Sequence, residues 1–162
     1  MPAHIRKITR LLWLVAALSI PTGAFAADRS ASDGALAVSS AEGTISVQGR
    51  GLVFGQLDQG SLSIIDFRPD DPTSVITVSG AKARTSWGVT VYAGTGVRFL
   101  LPAGKYMIRL NGAGIDLSAV GKGAISATGA GSIDDGSFAV NGGKPQALST
   151  IAVTQLFGAK LG

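Results

Sequence analysis

The fold is decided by a stretch of twenty residues, Thr44-Ile-Ser-Val-Gln-Gly-Arg-Gly-Leu-Val-Phe-Gly-Gln-Leu-Asp-Gln-Gly-Ser-Leu-Ser63. Ile45 and Val47 alternate with polar residues, and Leu62 and Ile64 do the same. An apolar residue at every second position is typical of a β-strand with one buried face. No part of the chain shows a sustained apolar repeat of about 3.6 residues. The stretch therefore predicts an all-β, antiparallel protein.

A second stretch, 63 positions further on, repeats this pattern: Met107-Ile-Arg-Leu-Asn-Gly-Ala-Gly-Ile-Asp-Leu-Ser-Ala-Val-Gly-Lys-Gly-Ala-Ile-Ser126. The two align without a gap, and the alignment places Gly51 on Gly114 and Phe54 on Leu117. We interpret the match as an internal duplication with repeats at about 43–100 and 106–158. Two similar halves of this size predict an antiparallel sandwich or barrel, in which each half buries the apolar face of the other.

Further period-two sets extend the strand pattern along the chain: Trp87, Val89 and Val91; Val97, Phe99 and Leu101; Tyr106, Ile108 and Leu110. Their phase predicts Trp87 and Tyr106 in the core, whereas Tyr92 is out of phase and is a candidate exposed aromatic. Turns are predicted where Gly and Asn tolerate positive φ, at Asp58-Gln-Gly60, Asp135-Gly136 and Asn141-Gly142. A small basic stripe is expected from Arg84, Arg98 and Arg109, as on many solvated strand faces.

Residues 1–26 have the features of a secretory signal peptide. Three basic residues precede an apolar run from Leu11 to Ile20, and Ala24-Phe-Ala26 has the small-x-small cleavage pattern. A spanning helix needs about twenty apolar residues, and neither this run nor any later segment reaches that length. We therefore expect a secreted or periplasmic protein whose mature form has no membrane span.

The mature chain is expected to begin with a flexible leader over residues 27–42, because these residues are small and polar without an apolar period. The β domain then covers residues 43–158, and residues 159–162 form a tail.

Removal of the signal changes the composition that bears on function. Three of the 14 basic residues leave with it, so 11 remain against 10 acidic residues, and the pI of about 9.8 belongs largely to the signal. The charge of the mature chain gives no support to a nucleic-acid partner, and we expect none.

The only histidine, His4, also leaves with the signal, and the chain has no cysteine. Ser-His-Asp, Cys-His and the usual zinc or copper sites are thereby excluded, and no cofactor is predicted.

Carboxylates are the chemistry that remains. Asp66 and Asp116 are the least ordinary acids, because they lie in strand-like sequence. A small carboxylate-dependent hydrolase would require two such carboxylates that face one cleft. Calcium prefers carboxylate oxygens in loops, and four loop acids are candidates for it: Asp70, Asp71, Asp134 and Asp135. Solvated turn acids are the simpler interpretation of these four. No catalytic or cofactor-binding residue is assigned.

The glycine-rich stretches Gly49–Gly60 and Gly112–Gly123, with Val78-Ser-Gly80 and Arg98-Phe99, resemble a group of small, Gly-rich secreted bacterial β proteins. The resemblance covers about Gly43 to Gly158. This group is uncharacterised, so the resemblance implies no activity, substrate or site residue.

These observations predict an exported, soluble, non-enzymatic β domain with a binding or structural role in the cell envelope or outside the cell. Its expected partner is an envelope or extracellular protein or glycan. The alternatives are a carbohydrate- or calcium-dependent ligand-binding module and the small hydrolase. The oligomeric state stays open.

Overall fold

The computed structural model describes residues 33–158, and the predicted signal peptide and tail lie outside the described residues. The described chain forms six strands and one short 3-10 turn: β1 (Gly34–Pro69), β2 (Thr77–Ser86), β3 (Val89–Gly129), the 3-10 turn (Ile133–Asp135), β4 (Ser137–Val140), β5 (Gln146–Ala147) and β6 (Val153–Phe157). All strand pairs are antiparallel, which confirms the predicted all-β class. Within residues 33–158 there is no helix long and apolar enough to cross a membrane.

The N-terminal end of the domain lies earlier than the sequence predicts. β1 begins at Gly34, so the prediction of a flexible leader is wrong for residues 34–42. Leu36 and Val38 are buried there and pair with both β3 and β4. These two apolar residues stand among Ala and Ser, a run too short for the period-two pattern to be recognised. Residues 27–32 of the predicted leader lie outside the described residues.

β1 and β3 are far longer than ordinary strands, with 36 and 41 residues. At about 3.3 Å per residue, a straight strand of the length of β1 would measure roughly 120 Å. Instead, Val47 pairs with both Ile108 and Ile125, and Ile108 pairs with both Val47 and Ile64. Two residues of β1 that are seventeen positions apart therefore flank the same residue of β3. The two strands wind around each other and cross repeatedly between two layers.

The pairing defines the contents of each layer. Layer 1 contains residues 43–51 and 60–69 of β1, residues 89–94, 104–112 and 121–129 of β3, residues 81–86 of β2, and β6. Layer 2 contains residues 34–42 and 52–59 of β1, residues 97–101 and 113–120 of β3, residues 77–79 of β2, β4 and β5. The sheet is not closed into a barrel, so the sandwich is the arrangement adopted.

Glycines mark the crossings between the layers. They recur every eight to ten residues, at positions 34, 43, 51 and 60 of β1 and positions 94, 104, 112, 121 and 129 of β3. They meet across the strands, Gly51 with Gly104 and Gly121, and Gly60 with Gly94 and Gly112. Gly51 has a φ of 138°, and a Cβ there would lie 2.0 Å from the carbonyl oxygen of Val120. At this crossing the two backbones are too close for any other residue.

The side chains between the layers form one hydrophobic cluster. The predicted buried positions are confirmed for most period-two sets: Ile45, Val47, Leu62, Ile64, Val97, Phe99, Leu101, Tyr106, Ile108 and Leu110. Because both layers contribute to the same cluster, their outer faces point in opposite directions.

The alignment at 63 residues does not hold as a residue-by-residue equivalence. Gly51 is a crossing, whereas Gly114 has a φ of 63° and lies against the Asp58 side chain. Phe54 is 43% exposed and Leu117 only 2%. The turn predicted at residues 58–60 is continuous strand, because the chain crosses between layers there instead of reversing. What β1 and β3 share is the eight-to-ten-residue spacing of their glycines.

Candidate functional site

The two acids of the hydrolase alternative lie on opposite sides of the molecule. Asp66 pairs with Met107 on the outer face of layer 1, and Asp116 pairs with Gln56 on the outer face of layer 2. Glycosidases place their two carboxyl groups about 5–10 Å apart, facing one sugar. Asp66 and Asp116 do not form such a pair, since the core separates them.

The four calcium candidates, Asp70, Asp71, Asp134 and Asp135, lie in two separate turns. Asp70 accepts a hydrogen bond of 2.6 Å from Arg50 in an ion pair. Asp71 accepts bonds from the backbone N–H and the hydroxyl of Thr73, at 2.8 and 2.7 Å, and these bonds lower its pKa. Across residues 33–158, no three acidic, His or Cys side chains gather as metal ligands would. Calcium binding remains a prediction from the sequence.

Trp87 is fully exposed, so the prediction that it lies in the core is wrong. It forms, with Gly88, the two-residue turn between β2 and β3, and the φ values are 52° and 76°. Two positive φ values define the tight hairpin turn that Asn-Gly or Asp-Gly usually occupies. No Asn, Asp or Pro reveals this turn in the sequence. Tyr92, the candidate exposed aromatic, is half-buried against the core.

The outer face of layer 2 holds the strongest candidate site, the polar face, formed by Phe54, Gln56, Arg98, Leu100 and Asp116. Phe54 lies directly opposite Leu100 on the neighbouring strand, and both are more than 40% exposed. Gln56 lies between Arg98 and Asp116, so three polar side chains cross three adjacent strand segments in one row. The polar face is a shallow depression beside an exposed aromatic ring.

Hydrogen bonds fix one end of this row. The Asp116 carboxylate accepts the backbone N–H of Ser40 at 2.8 Å and the Gln56 Nε2 at 3.1 Å. Ser40 has a φ of 48° at a break in the β1–β3 register, and this leaves its N–H free of the ladder. At the other end, Arg98 is exposed and has no ion pair within the described part of the chain. The row therefore offers fixed acceptors beside an unpaired guanidinium.

The outer face of layer 1 carries a different surface, the basic face, in which four exposed cations stand opposite one another in the order Arg68, Lys105, Arg50 and Lys122. Two have acidic neighbours, Arg50 with Asp70 at 2.6 Å and Arg68 with Asp66 at 3.6 Å. Among residues 33–158, Lys105 and Lys122 form no ion pair.

Sequence reasoning missed the basic face because its members are far apart in the chain. The expected stripe does not form, since Arg98 lies in layer 2 while Arg84 and Arg109 lie in layer 1. A signal for the observed row does exist. Each of its cations stands next to a Gly or Pro at a crossing or strand end: Arg50-Gly51, Gly104-Lys105, Gly121-Lys122 and Arg68-Pro69.

No protein-family model, curated protein or solved structure matches this chain.

Proposed function

We propose that this protein is an exported, non-enzymatic β-sandwich that binds a carbohydrate ligand in the cell envelope or outside the cell. The signal-peptide pattern of residues 1–26 supports export. The polar face supports a binding role on the surface of a rigid sandwich.

The observation that carries the proposal is the placement of Phe54 beside the row of Arg98, Gln56 and Asp116. The apolar face of a sugar ring packs on an exposed aromatic ring. Adjacent sugar hydroxyls both donate and accept hydrogen bonds, so a row that mixes carboxylate, amide and guanidinium groups matches them. Within the described structure, the Gln56 amide oxygen and the Arg98 N–H groups have no hydrogen-bond or ion-pair partner and are therefore available to a ligand.

Arg98 favours sugars that carry a carboxylate. A guanidinium binds a carboxylate through two parallel hydrogen bonds, and this pairing is stronger than a bond between neutral groups. The Asp116 carboxylate is already bonded at both oxygens, to Ser40 and Gln56. Uronate-containing oligosaccharides should therefore bind more tightly than neutral ones of the same length.

Calorimetric titration of the protein with neutral and uronate oligosaccharides tests this proposal. We expect Phe54→Ala to weaken binding about fivefold, since an aromatic contact contributes roughly 1 kcal/mol. Arg98→Gln should remove the preference for the uronate. Leu156→Ala is the matched control, because it truncates an exposed apolar side chain on the opposite face.

Equal affinity of Phe54→Ala and the unchanged protein would show that the polar face is not the sugar site. If no oligosaccharide binds and a protein partner is recovered whose binding depends on Phe54, the ligand of the polar face is a protein and not a glycan.

A further inference from the structure

The basic face and the Trp87 turn form a second surface that is separate from the polar face. We propose that this surface docks the protein onto an anionic lipid membrane, with phosphate headgroups against the cations and the indole in the interface. The inference does not depend on carbohydrate binding, because the two surfaces lie on opposite layers of the sandwich.

The charge of the basic face matches a lipid surface. Neighbouring strands are about 4.8 Å apart, so the row of Arg68, Lys105, Arg50 and Lys122 spans roughly 15 Å. Asp66 and Asp70 offset part of this charge, but Lys105 and Lys122 have no acidic partner in residues 33–158. Each such cation near an anionic membrane raises binding about fivefold.

Exposed apolar side chains lie among these cations. Ile65, Met107 and Leu156 are 41%, 38% and 61% exposed on the outer face of layer 1. Met107 follows Lys105 by two positions on the same face of β3, so aliphatic and basic groups alternate along the strand. A soluble polyanion would use only the charges, whereas a lipid interface accommodates both groups. This mixture favours a membrane.

Trp87 extends the same surface at its edge. Thr90 pairs with Ile64, and the hairpin continues from there in the direction of Asp66 and Arg68. The turn therefore lies at the end of layer 1 that carries the basic row. Trp87 is wholly exposed with a φ of 52°, a backbone conformation that bulky residues rarely adopt. Tryptophan is enriched at membrane–water interfaces, where the indole is removed from bulk water.

Tryptophan fluorescence on vesicles tests this inference with protein recovered after expression of the full chain. The vesicles are phosphatidylcholine alone or phosphatidylcholine mixed with phosphatidylglycerol. The chain has two tryptophans, Trp13 and Trp87, so Trp87→Phe removes the Trp87 emission and identifies it by difference. We expect Trp87 emission to shift to shorter wavelength on the anionic vesicles, with reversal by high salt and no shift on the neutral ones.

Charge variants locate the contact. Lys122→Gln should weaken vesicle binding about fivefold, and Lys105→Gln with Lys122→Gln about 25-fold. Lys144→Gln removes one exposed charge from the β4–β5 connection and should bind as the unchanged protein does. A melting curve of each variant confirms that it folds.

Three results would overturn the inference. The first is absence of binding to anionic vesicles, or equal binding to both kinds. The second is Trp87 emission that stays constant on bound vesicles. The third is Lys122-dependent binding to soluble dextran sulfate without binding to vesicles, which would assign the basic face to a polyanion. None of these results would affect the carbohydrate titration, which reports on Phe54 and Arg98.

Discussion

Tyr106 is the one described side chain whose polar atom is buried without a partner. It is 1% exposed, and its hydroxyl makes no hydrogen bond. Burial also raises the pKa of the phenol above its usual range, because the charged form loses its hydration. The ring is well placed as a core residue, but the hydroxyl opposes folding.

Removing that hydroxyl should stabilise the protein. Tyr106→Phe keeps the ring and deletes the unsatisfied group, so we expect the free energy of unfolding to rise by about 1 kcal/mol. Urea denaturation measures the difference, and Tyr92→Phe, at a half-buried tyrosine, is the control. A loss of stability in Tyr106→Phe would show that the hydroxyl has a partner in solution.

The same phenol predicts a loss of stability in alkali. The folded pKa of Tyr106 is above the value of about 10 that an unfolded tyrosine has, so the folded state holds this proton longer. Stability should therefore fall as the pH rises above about 10. In a tyrosinate absorbance titration, Tyr106 should ionise only as the protein unfolds. Ionisation of Tyr106 while the fold persists would contradict this.

At the residue scale, periodicity failed at Val89 and Val91, which are only half-buried in β3, whereas Tyr92, the candidate exposed residue, packs against the core. It predicted burial correctly for most other strand residues. Ile45, Val47, Tyr106 and Ile108 are examples, because strand alternation alone determines which side faces the core. The prediction that Trp87 lies in the core is wrong because strand alternation does not apply to a residue in a turn. The alignment at 63 residues predicted that Phe54 and Leu117 occupy equivalent positions. Phe54 is exposed and Leu117 is buried, because one constant offset in sequence does not relate the positions of β1 to those of β3.

At the scale of the element, glycines allow β1 and β3 to be wound instead of straight. A crossing needs close backbone approach and, at Gly51, Gly60 and Gly121, a φ near 140°. The strands themselves were predictable from local alternation. The winding of the strands was not predictable, because it depends on pairing between residues of β1 and β3 that are far apart in the chain. The two strands pair in two registers that are seventeen residues apart.

One substitution separates the close approach from the unusual φ. In Gly51→Ala the new Cβ would lie 2.0 Å from the Val120 carbonyl oxygen, and the residue would have to keep a φ of 138°. We therefore expect the free energy of unfolding to fall by about 3 kcal/mol or more. Gly142→Ala is the control, since Gly142 has a φ of 72° but open space around it, and should cost about 1 kcal/mol. Urea denaturation measures both. Equal losses would mean that the crossing is not tightly packed.

At the scale of the whole molecule, the sandwich presents two outer faces with different chemistry on opposite sides of one core. The polar face centres on Phe54 and Arg98, and the basic face on Lys105 and Lys122. Sequence alternation predicts that strands have outer faces, but not which outer residues become neighbours. Both faces are assembled from β1 and β3 segments, and the crossings bring those segments together.

Separate binding by the two faces is tested by amide chemical-shift mapping. Isotopically labelled protein is titrated with a uronate oligosaccharide and, separately, with lipid nanodiscs containing phosphatidylglycerol. We predict shifts around residues 54–56, 98–100 and 116 with the oligosaccharide, and around residues 50, 68, 87, 105 and 122 with the nanodiscs. Shifts at one common set of residues, or at neither set, would contradict separate binding by the two faces.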